Sequence, residues 1–347
     1  MPSDGSHADR PTGRSLPLPP LTLRERVGAT TSASAVAERQ LRRAPWWAAD
    51  PAEAWLRQGE FLVATIREQL PDDFSLDGAR VLDFGCGAGR VLRHLVDVVG
   101  ENGDLHGVDI DGRSIDWLQA HGEPWIHAQR CEESPGLPYP DGHFDLVYAM
   151  SVFTHIVEDW AGWLLELRRV LAPGGILLAT VIGPQTAAEL RLPHPDDPGM
   201  YGRVLGNDWD HGGPVTTHDT AWVAERWGRA LDIVSHAPRI TGQPWPHDIV
   251  VARARAGTVT TDDLLTTGAD GVAEGRAQAA QLRLLRDDAL MRRTFLDGQA
   301  AEAVGAAAQG RAEVAARTPA RLEELAQRYV ALEAERAALG ATPPTPA

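Results

Sequence analysis

The residues best suited to do chemistry form a glycine-rich segment at positions 81–90. It reads Val-Leu-Asp-Phe-Gly-Cys-Gly-Ala-Gly-Arg, so that an apolar run leads into three alternating glycines. Glycine lets the backbone turn sharply and approach a ligand closely. The pattern predicts a strand, a tight turn and a helix whose N-terminus favours a carboxylate or phosphate. In doubly wound sheets, ligands bind at this carboxyl end of the strands.

Two kinds of nucleotide ligand compete for such a turn. The dinucleotide fingerprint G-x-G-x-x-G fails in both registers, because its last glycine falls on Arg90 or on Leu92. The acid before the turn, Asp83, would repel a pyrophosphate but would pair with an ammonium group. Asp109 ends the next apolar run and can accept hydrogen bonds from both hydroxyls of a ribose, which either ligand carries. The segment therefore predicts a nucleoside that bears an amino acid rather than a pyrophosphate.

Strand and helix patterns alternate over residues 79–256, as they do in parallel α/β domains. The predicted strands are Ala79–Phe84, Leu105–Ile110, Trp125–Ala128, Phe144–Met150, Ile176–Ile182, Leu231–His236 and Asp248–Arg253. The predicted helices are Val91–Val99, Ser114–Ala120, Trp160–Leu171 and Thr217–Arg229. A long segment rich in Gly, Pro, Asp and His, Pro193–Thr220, precedes the last helix, and long loops often form the wall of a binding site.

Two further segments complete the pattern. Residues 137–148 lead through a turn into the fourth strand, and Ser151–His155 come after that strand. Residues 167–175 form a helix that stops at Pro-Gly-Gly before the fifth strand. Together with the glycine turn and Asp109, they resemble the core of class I S-adenosylmethionine-dependent methyltransferases over about residues 60–256. Arg90 and the segment Trp209–Pro214 resemble a bacterial subgroup that acts on small molecules. The resemblance implies a doubly wound, seven-stranded, mostly parallel sheet with S-adenosyl-L-methionine as cofactor.

The resemblance also implies which residues bind this cofactor. Asp109 would hold the ribose, and Ile110 would lie against the adenine. Glu132 would reach the adenine amine, with Cys131 or Gln129 as alternatives. Ser151 is also expected to contact the cofactor. The residues expected to surround the methionine end are Asp83, Gly85, Cys86, Gly87 and Gly89.

His155 is the candidate catalytic base, because it follows the fourth strand at the ligand end of the sheet. Methyl transfer is an in-line displacement in which alignment contributes ~7–11 kcal/mol, and a base adds ~10²–10⁴-fold when the acceptor is a hydroxyl or an amine. The alternative is that His155 bonds to backbone and shapes the pocket. His211 and His218 are candidates for contact with the acceptor. Their spacing matches no closed metal site, so no metal is predicted.

Composition narrows the acceptor and the compartment. The net charge is −15, from 33 basic and 48 acidic residues, which disfavours nucleic acid as a partner and favours a small-molecule acceptor. The two cysteines, Cys86 and Cys131, are too few for a disulfide scaffold. The absence of a secretory pattern and of any run of 18 apolar residues predicts a cytoplasmic protein without a membrane partner.

Composition also divides the chain into five segments. Residues 1–20 are expected to be a disordered leader, and 21–72 a helical segment that either covers the ligand as a lid or packs on the sheet edge. Residues 73–256 form the predicted cofactor-binding domain. Residues 257–340 form a helical extension whose heptad-like seam at 322–339 predicts either a homodimer or an intramolecular hairpin. Residues 341–347 are a predicted disordered tail.

The function expected from these patterns is methyl transfer from S-adenosyl-L-methionine to a small molecule, at oxygen. One alternative is a protein that binds the cofactor and acts as a partner or scaffold through its C-terminal helices. The other is a nicotinamide-dependent dehydrogenase, which Arg90 and Leu92 disfavour.

Overall fold

The computed structural model describes residues 17–19, 51–123, 125–203, 214–238, 247–266 and 275–291, with single helical positions between 293 and 331. The chain forms two compact units, residues 1–289 and 290–347. Residues 1–16 and 20–50, the segment 204–213 with its Trp209 and His211, most of the predicted heptad seam and the tail lie outside the described residues. No helix in the described part is both long and apolar enough to cross a bilayer.

A seven-stranded sheet forms the centre of the first unit, in the order β3-β2-β1-β4-β5-β9-β8. Its strands run parallel except β9, which is antiparallel to both of its neighbours. The predicted doubly wound, mostly parallel sheet is therefore confirmed. The strands in chain order, including a separate hairpin of β6 and β7, are β1 (Arg80–Phe84), β2 (Asp104–Asp109), β3 (Ile126–Arg130), β4 (Phe144–Ala149), β5 (Leu171–Val181), β6 (Met200–Arg203), β7 (Val215–His218), β8 (Leu231–Ala237) and β9 (Asp248–Ala254).

Helices cover both faces of the sheet, because its central strands are apolar on both sides. Leu92 and Leu95 bury one helix on the first face, and Trp163 and Leu164 bury another on the second. Each such side chain contributes about 1.5–3 kcal/mol on burial. The helices are α1 (Pro51–Gln69), α2 (Leu92–Val99), α3 (Gly112–His121), α4 (Trp160–Val170), α5 (Pro184–Leu190), α6 (Thr220–Trp227) and α7 (Thr261–Leu265), with a one-turn 3₁₀ helix at Phe153–His155.

The boundary between α4 and β5 differs from the prediction. The sequence placed Leu171 in the helix and began the strand at Ile176, but β5 already begins at Leu171. Leu171 pairs with Phe144, and the register then shifts so that Ile176 pairs with Leu146. The intervening Pro-Gly-Gly therefore lies in an irregularity of the ladder, where a residue without an N–H is tolerated.

The segment predicted as a loop also differs, because it contains the β6–β7 hairpin. Thr217, predicted as helical, belongs to β7. Helix α6 begins only at Thr220, since the Asp219 carboxylate accepts hydrogen bonds from the N–H groups of Ala221 and Trp222 and caps the helix. Such a cap satisfies N–H groups that have no partner within the helix.

Helical residues 275–289, from the predicted C-terminal extension, pack on the hairpin. The side chain of Gln281 bonds both the N–H and the carbonyl of Gly202. The guanidinium of Arg203 pairs with Asp288, whose residue is 2% exposed, with 2.9 Å between Nε and Oδ1. This part of the extension thus belongs to the first unit. The second unit is helical at every described position.

Candidate functional site

The glycine turn between β1 and α2 has the backbone that its sequence demands. Gly85 and Gly89 have φ of +87° and +79°, a region that other residues enter at a cost of roughly 1–2 kcal/mol. A Cβ on Gly85 would lie 2.3 Å from Cγ2 of Val152, and one on Gly89 would lie 3.0 Å from Cδ1 of Leu118. The turn is therefore held in close contact with the segment that follows β4 and with helix α3.

The amide groups of this turn donate hydrogen bonds within the protein. The N–H groups of Gly85 and Cys86 both reach the carbonyl of Val108, at 2.8 and 3.0 Å. The N–H of Gly87 donates to Oδ2 of Asp109 at 2.7 Å. These three donors are thus engaged with β2. Their effect is to hold the turn rigidly in shape before any ligand arrives.

Cys86 lies at the base of the turn. It is 3% exposed, and its Sγ would contact a Cβ on Gly107 at 2.8 Å. Its side chain therefore packs against β2, and its contact with the cofactor stays a prediction.

Asp109 connects the turn with the end of β2. While Oδ2 accepts from Gly87, Oδ1 accepts from the N–H of Asp111 at 2.8 Å. These two bonds, one to each oxygen, fix the orientation of the carboxylate. A rigid, bidentate acceptor at the end of the second strand fits the adjacent hydroxyls of a ribose.

Asp83, at the carboxyl end of β1, is 3% exposed. Its neighbour in the β1–β4 register is Tyr148, which is fully buried. Burial, with the Asp83 carboxylate nearby, raises the pKa of Tyr148 well above its usual value, so that its phenol stays protonated. A cation is therefore the ligand group that would best match the carboxylate of Asp83.

The residues expected near the adenine follow β2 and β3. Ile110 is partly buried against the core. The N–H of Cys131 bonds the carbonyl of Asp109 at 3.0 Å, so the chain after β3 runs beside the end of β2. Burial raises the pKa of the Cys131 thiol to about 12, whereas Glu132 and Gln129 are exposed. The contact with adenine stays a prediction for Glu132 and its alternatives.

Ser151, two residues after β4, has a φ of +65°, a conformation that non-glycine residues adopt at a cost and that clusters at functional sites. Its N–H donates to Oγ1 of Thr180 at 2.7 Å, and Thr180 is itself buried in β5. The adjoining Val152 fills the space beside Gly85. The roles of Thr180 and Val152 had no signal in the sequence, because each depends on a contact between distant segments.

His155 lies on the 3₁₀ helix, with Nδ1 only 2.6 Å from the carbonyl oxygen of Pro214. A carbonyl only accepts, so Nδ1 carries the proton and Nε2 is the basic nitrogen of the neutral ring. Thr216 on β7 likewise bonds the carbonyl of Ile156 at 3.1 Å. The hairpin thus lies against the segment that carries His155, and its role as a wall of the site stays a prediction.

His218, a candidate for acceptor contact, is a buried residue of β7. It is 1% exposed, and neither ring nitrogen has a hydrogen-bond partner among the described residues. Burial, reinforced by His194 and His236, lowers its pKa to about 3. The ring is therefore neutral and packs beside Trp222 rather than in a solvated loop.

Helix α1 approaches the glycine turn from the other side. The side chain of Gln58 accepts a hydrogen bond from Nη1 of Arg90 at 2.5 Å, and Gly59 lies so close that a Cβ there would clash with the Arg90 carbonyl. Leu62 and Ile66 bury the same helix in the core. Packing of this helix on the domain is thus observed, whereas lid motion stays untested.

Comparison with known proteins points to one family for the central region. Residues 82–179 match the family model of a methyltransferase domain. A malonyl-(acyl-carrier protein) O-methyltransferase of Halorhodospira halophila is 35% identical over 114 residues, which are 32% of this chain and 38% of that protein. An arsenite methyltransferase of Aquipseudomonas alcaligenes is 32% identical over 155 residues, 39% of this chain and 43% of that protein.

The chain therefore spans less than half the length of these curated relatives. A crystal structure of an S-adenosylmethionine-dependent methyltransferase from Aquifex aeolicus aligns with a TM-score of 0.40 and 18% identity, over 64% of this chain and 98% of that chain. The matched residues 82–179 include the glycine turn, Asp109, Ser151 and His155.

Proposed function

We propose that this chain is a class I S-adenosylmethionine-dependent methyltransferase that methylates a small molecule at oxygen. The match of residues 82–179 to the family model of a methyltransferase domain supports this proposal. The observation that carries the proposal is the contact between the glycine turn and Asp109, where the Gly87 amide fixes a carboxylate at the carboxyl end of β2. The name of one relative supports oxygen as the acceptor atom.

The bound cofactor would supply a methyl group activated on a sulfonium. Asp83 would pair with the ammonium of the amino-acid end, and Asp109 would bond the ribose hydroxyls. Ile110 and Glu132 would contact the adenine. Each of these residues follows or ends one of the strands β1 to β3, so the parallel sheet brings them to one edge.

His155 would act on the acceptor. Its Nε2 would accept the proton of the acceptor hydroxyl, and the Pro214 carbonyl would stabilise the resulting imidazolium through Nδ1. Holding one tautomer is what a general base requires of its neighbours. This step is worth ~10²–10⁴-fold in rate.

Calorimetry with S-adenosylhomocysteine, the demethylated cofactor, tests the binding part of the proposal. Wild type is expected to bind it, and Asp109→Ala to bind at least 10-fold more weakly. Asp116→Ala, which removes a carboxylate from an exposed position of α3, is the matched control. An Asp109→Ala variant that binds as tightly as the control would remove the proposed ribose contact.

Transfer of a radioactive methyl group from the cofactor to a panel of hydroxylated, aminated and thiol acceptors tests the catalytic part. Labelled products confined to amines would overturn the assignment to oxygen. Tight cofactor binding without any transfer would favour the partner or scaffold alternative. Binding of NADH in preference to S-adenosylhomocysteine would favour a dehydrogenase.

The cytoplasmic location and a homodimer through residues 257–340 also remain proposals. Sedimentation of the full chain over a range of concentrations tests the dimer, and a monomer at every concentration would refute it.

A further inference from the structure

A cluster of three histidines and one aspartate lies on the second face of the sheet, away from the glycine turn. Asp104 opens β2, and His106 follows two residues later on the same face of the strand. His127 on β3 is the direct partner of His106 in the sheet register. His143 immediately precedes β4. The turns that form the candidate cofactor site follow the opposite, carboxyl ends of these strands.

The distances within this cluster are those of a metal site. Oδ2 of Asp104 lies 3.1 Å from Nε2 of His106, and Oδ1 lies 3.3 Å from Nε2 of His127. Ligand atoms of Asp104, His106 and His143 all lie within 4.8 Å of one another. Around a tetrahedral zinc ion with ligands at about 2.0–2.1 Å, neighbouring ligand atoms are about 3.3–3.4 Å apart.

His106 supplies a second, independent indication of a ligand. Its residue is 9% exposed. Its Nε2 faces the Asp104 carboxylate, whereas its Nδ1 has no hydrogen-bond partner among the described residues. The rings of Tyr139 and Phe144 pack against the His106 ring in T-shaped contacts, so that the imidazole has aromatic neighbours. Buried polar groups are rarely left without a partner.

We infer that Asp104, His106 and His143 bind one divalent transition-metal ion, with His127 positioned as a fourth ligand. Two or three imidazoles with a single carboxylate match zinc, whereas magnesium and calcium require oxygen ligands. The ion would tie β2 to the segment that enters β4, and its role would be to stabilise the fold. The inference does not depend on the proposed function. Ligands at 104, 106, 127 and 143 follow no recognised spacing along the chain, so they could not be identified from the sequence.

Calorimetric titration of the untagged, metal-free full chain with Zn²⁺ tests the inference. Wild type is expected to bind one equivalent and to melt at a higher temperature with the ion than without it. His143→Ala is expected to lose at least 10-fold in affinity and to lose the rise in melting temperature. The control is His121→Ala, at an exposed histidine of α3 that stacks on Trp117, and this variant should behave as wild type.

Co²⁺ provides a second measurement, because visible absorption of the bound ion reports imidazole ligands and a tetrahedral geometry. His127→Ala, at an exposed position, is a further variant that keeps the fold and should weaken or alter this spectrum. The inference is overturned if wild type shows no saturable Zn²⁺ binding, or if His143→Ala binds Zn²⁺ as tightly as His121→Ala does.

Discussion

Substituting Gly85 by alanine separates the two reasons for a glycine in the turn. The φ of +87° costs an L-residue about 1–2 kcal/mol. The new Cβ would also meet Cγ2 of Val152 at 2.3 Å, more than 1 Å inside ordinary contact, and overpacking of this kind costs about 1–3 kcal/mol. Gly85→Ala should therefore destabilise the protein by roughly 2–5 kcal/mol and displace the Ser151–Val152 segment from the cofactor site.

Gly174 provides the matched control, because its φ of +77° is similar and, among the described residues other than its chain neighbours, no atom lies within 4 Å of an added Cβ. Gly174→Ala should cost only the backbone part, about 1–2 kcal/mol. Adding Val152→Ala to Gly85→Ala should recover the overpacking part, measured as the coupling in a double-mutant cycle. Urea unfolding gives the stabilities, and calorimetry with S-adenosylhomocysteine gives the affinities. Equal losses for Gly85→Ala and Gly174→Ala, with no coupling to Val152, would refute the steric argument.

Three more predictions concern the neighbouring elements. Ser151→Gly should leave the free energy of unfolding unchanged or raise it by up to about 1 kcal/mol, because glycine adopts φ +65° without strain. Thermal unfolding measures this change, and a loss above about 1 kcal/mol would contradict the prediction. His155→Gln should lower kcat ~10²–10⁴-fold with little change in cofactor affinity, whereas a change confined to affinity would indicate a binding role. Because the pKa of His218 is about 3 when folded and about 6.5 when unfolded, the unfolded chain binds the extra proton between these values. The free energy of unfolding should therefore fall by roughly 3–5 kcal/mol as the pH falls from 6.5 to 3. Urea unfolding at a series of pH values measures this loss, which should be smaller in His218→Leu. Identical pH profiles for the two proteins would exclude the buried neutral ring as the cause.

The position of the candidate site followed from local sequence alone. The alternation of apolar runs with helical segments over 79–256 determined a parallel sheet, and the acid-led glycine spacing at 83–89 placed a turn at the end of its first strand. Such features are readable because strand and helix periodicity and the conformational freedom of glycine are local properties. Asp109 was predicted for the same reason, as the residue that ends the second strand.

The contacts between distant segments were decided only in the folded chain. Asp109 accepts from the Gly87 amide, and the Pro214 carbonyl selects the tautomer of His155. The β6–β7 hairpin and the early start of β5 depend on pairing partners far away in sequence. The cluster of Asp104, His106, His127 and His143 arises because strand register and a loop bring four separate positions together. The spacing of these residues along the chain does not predict that they lie close to one another.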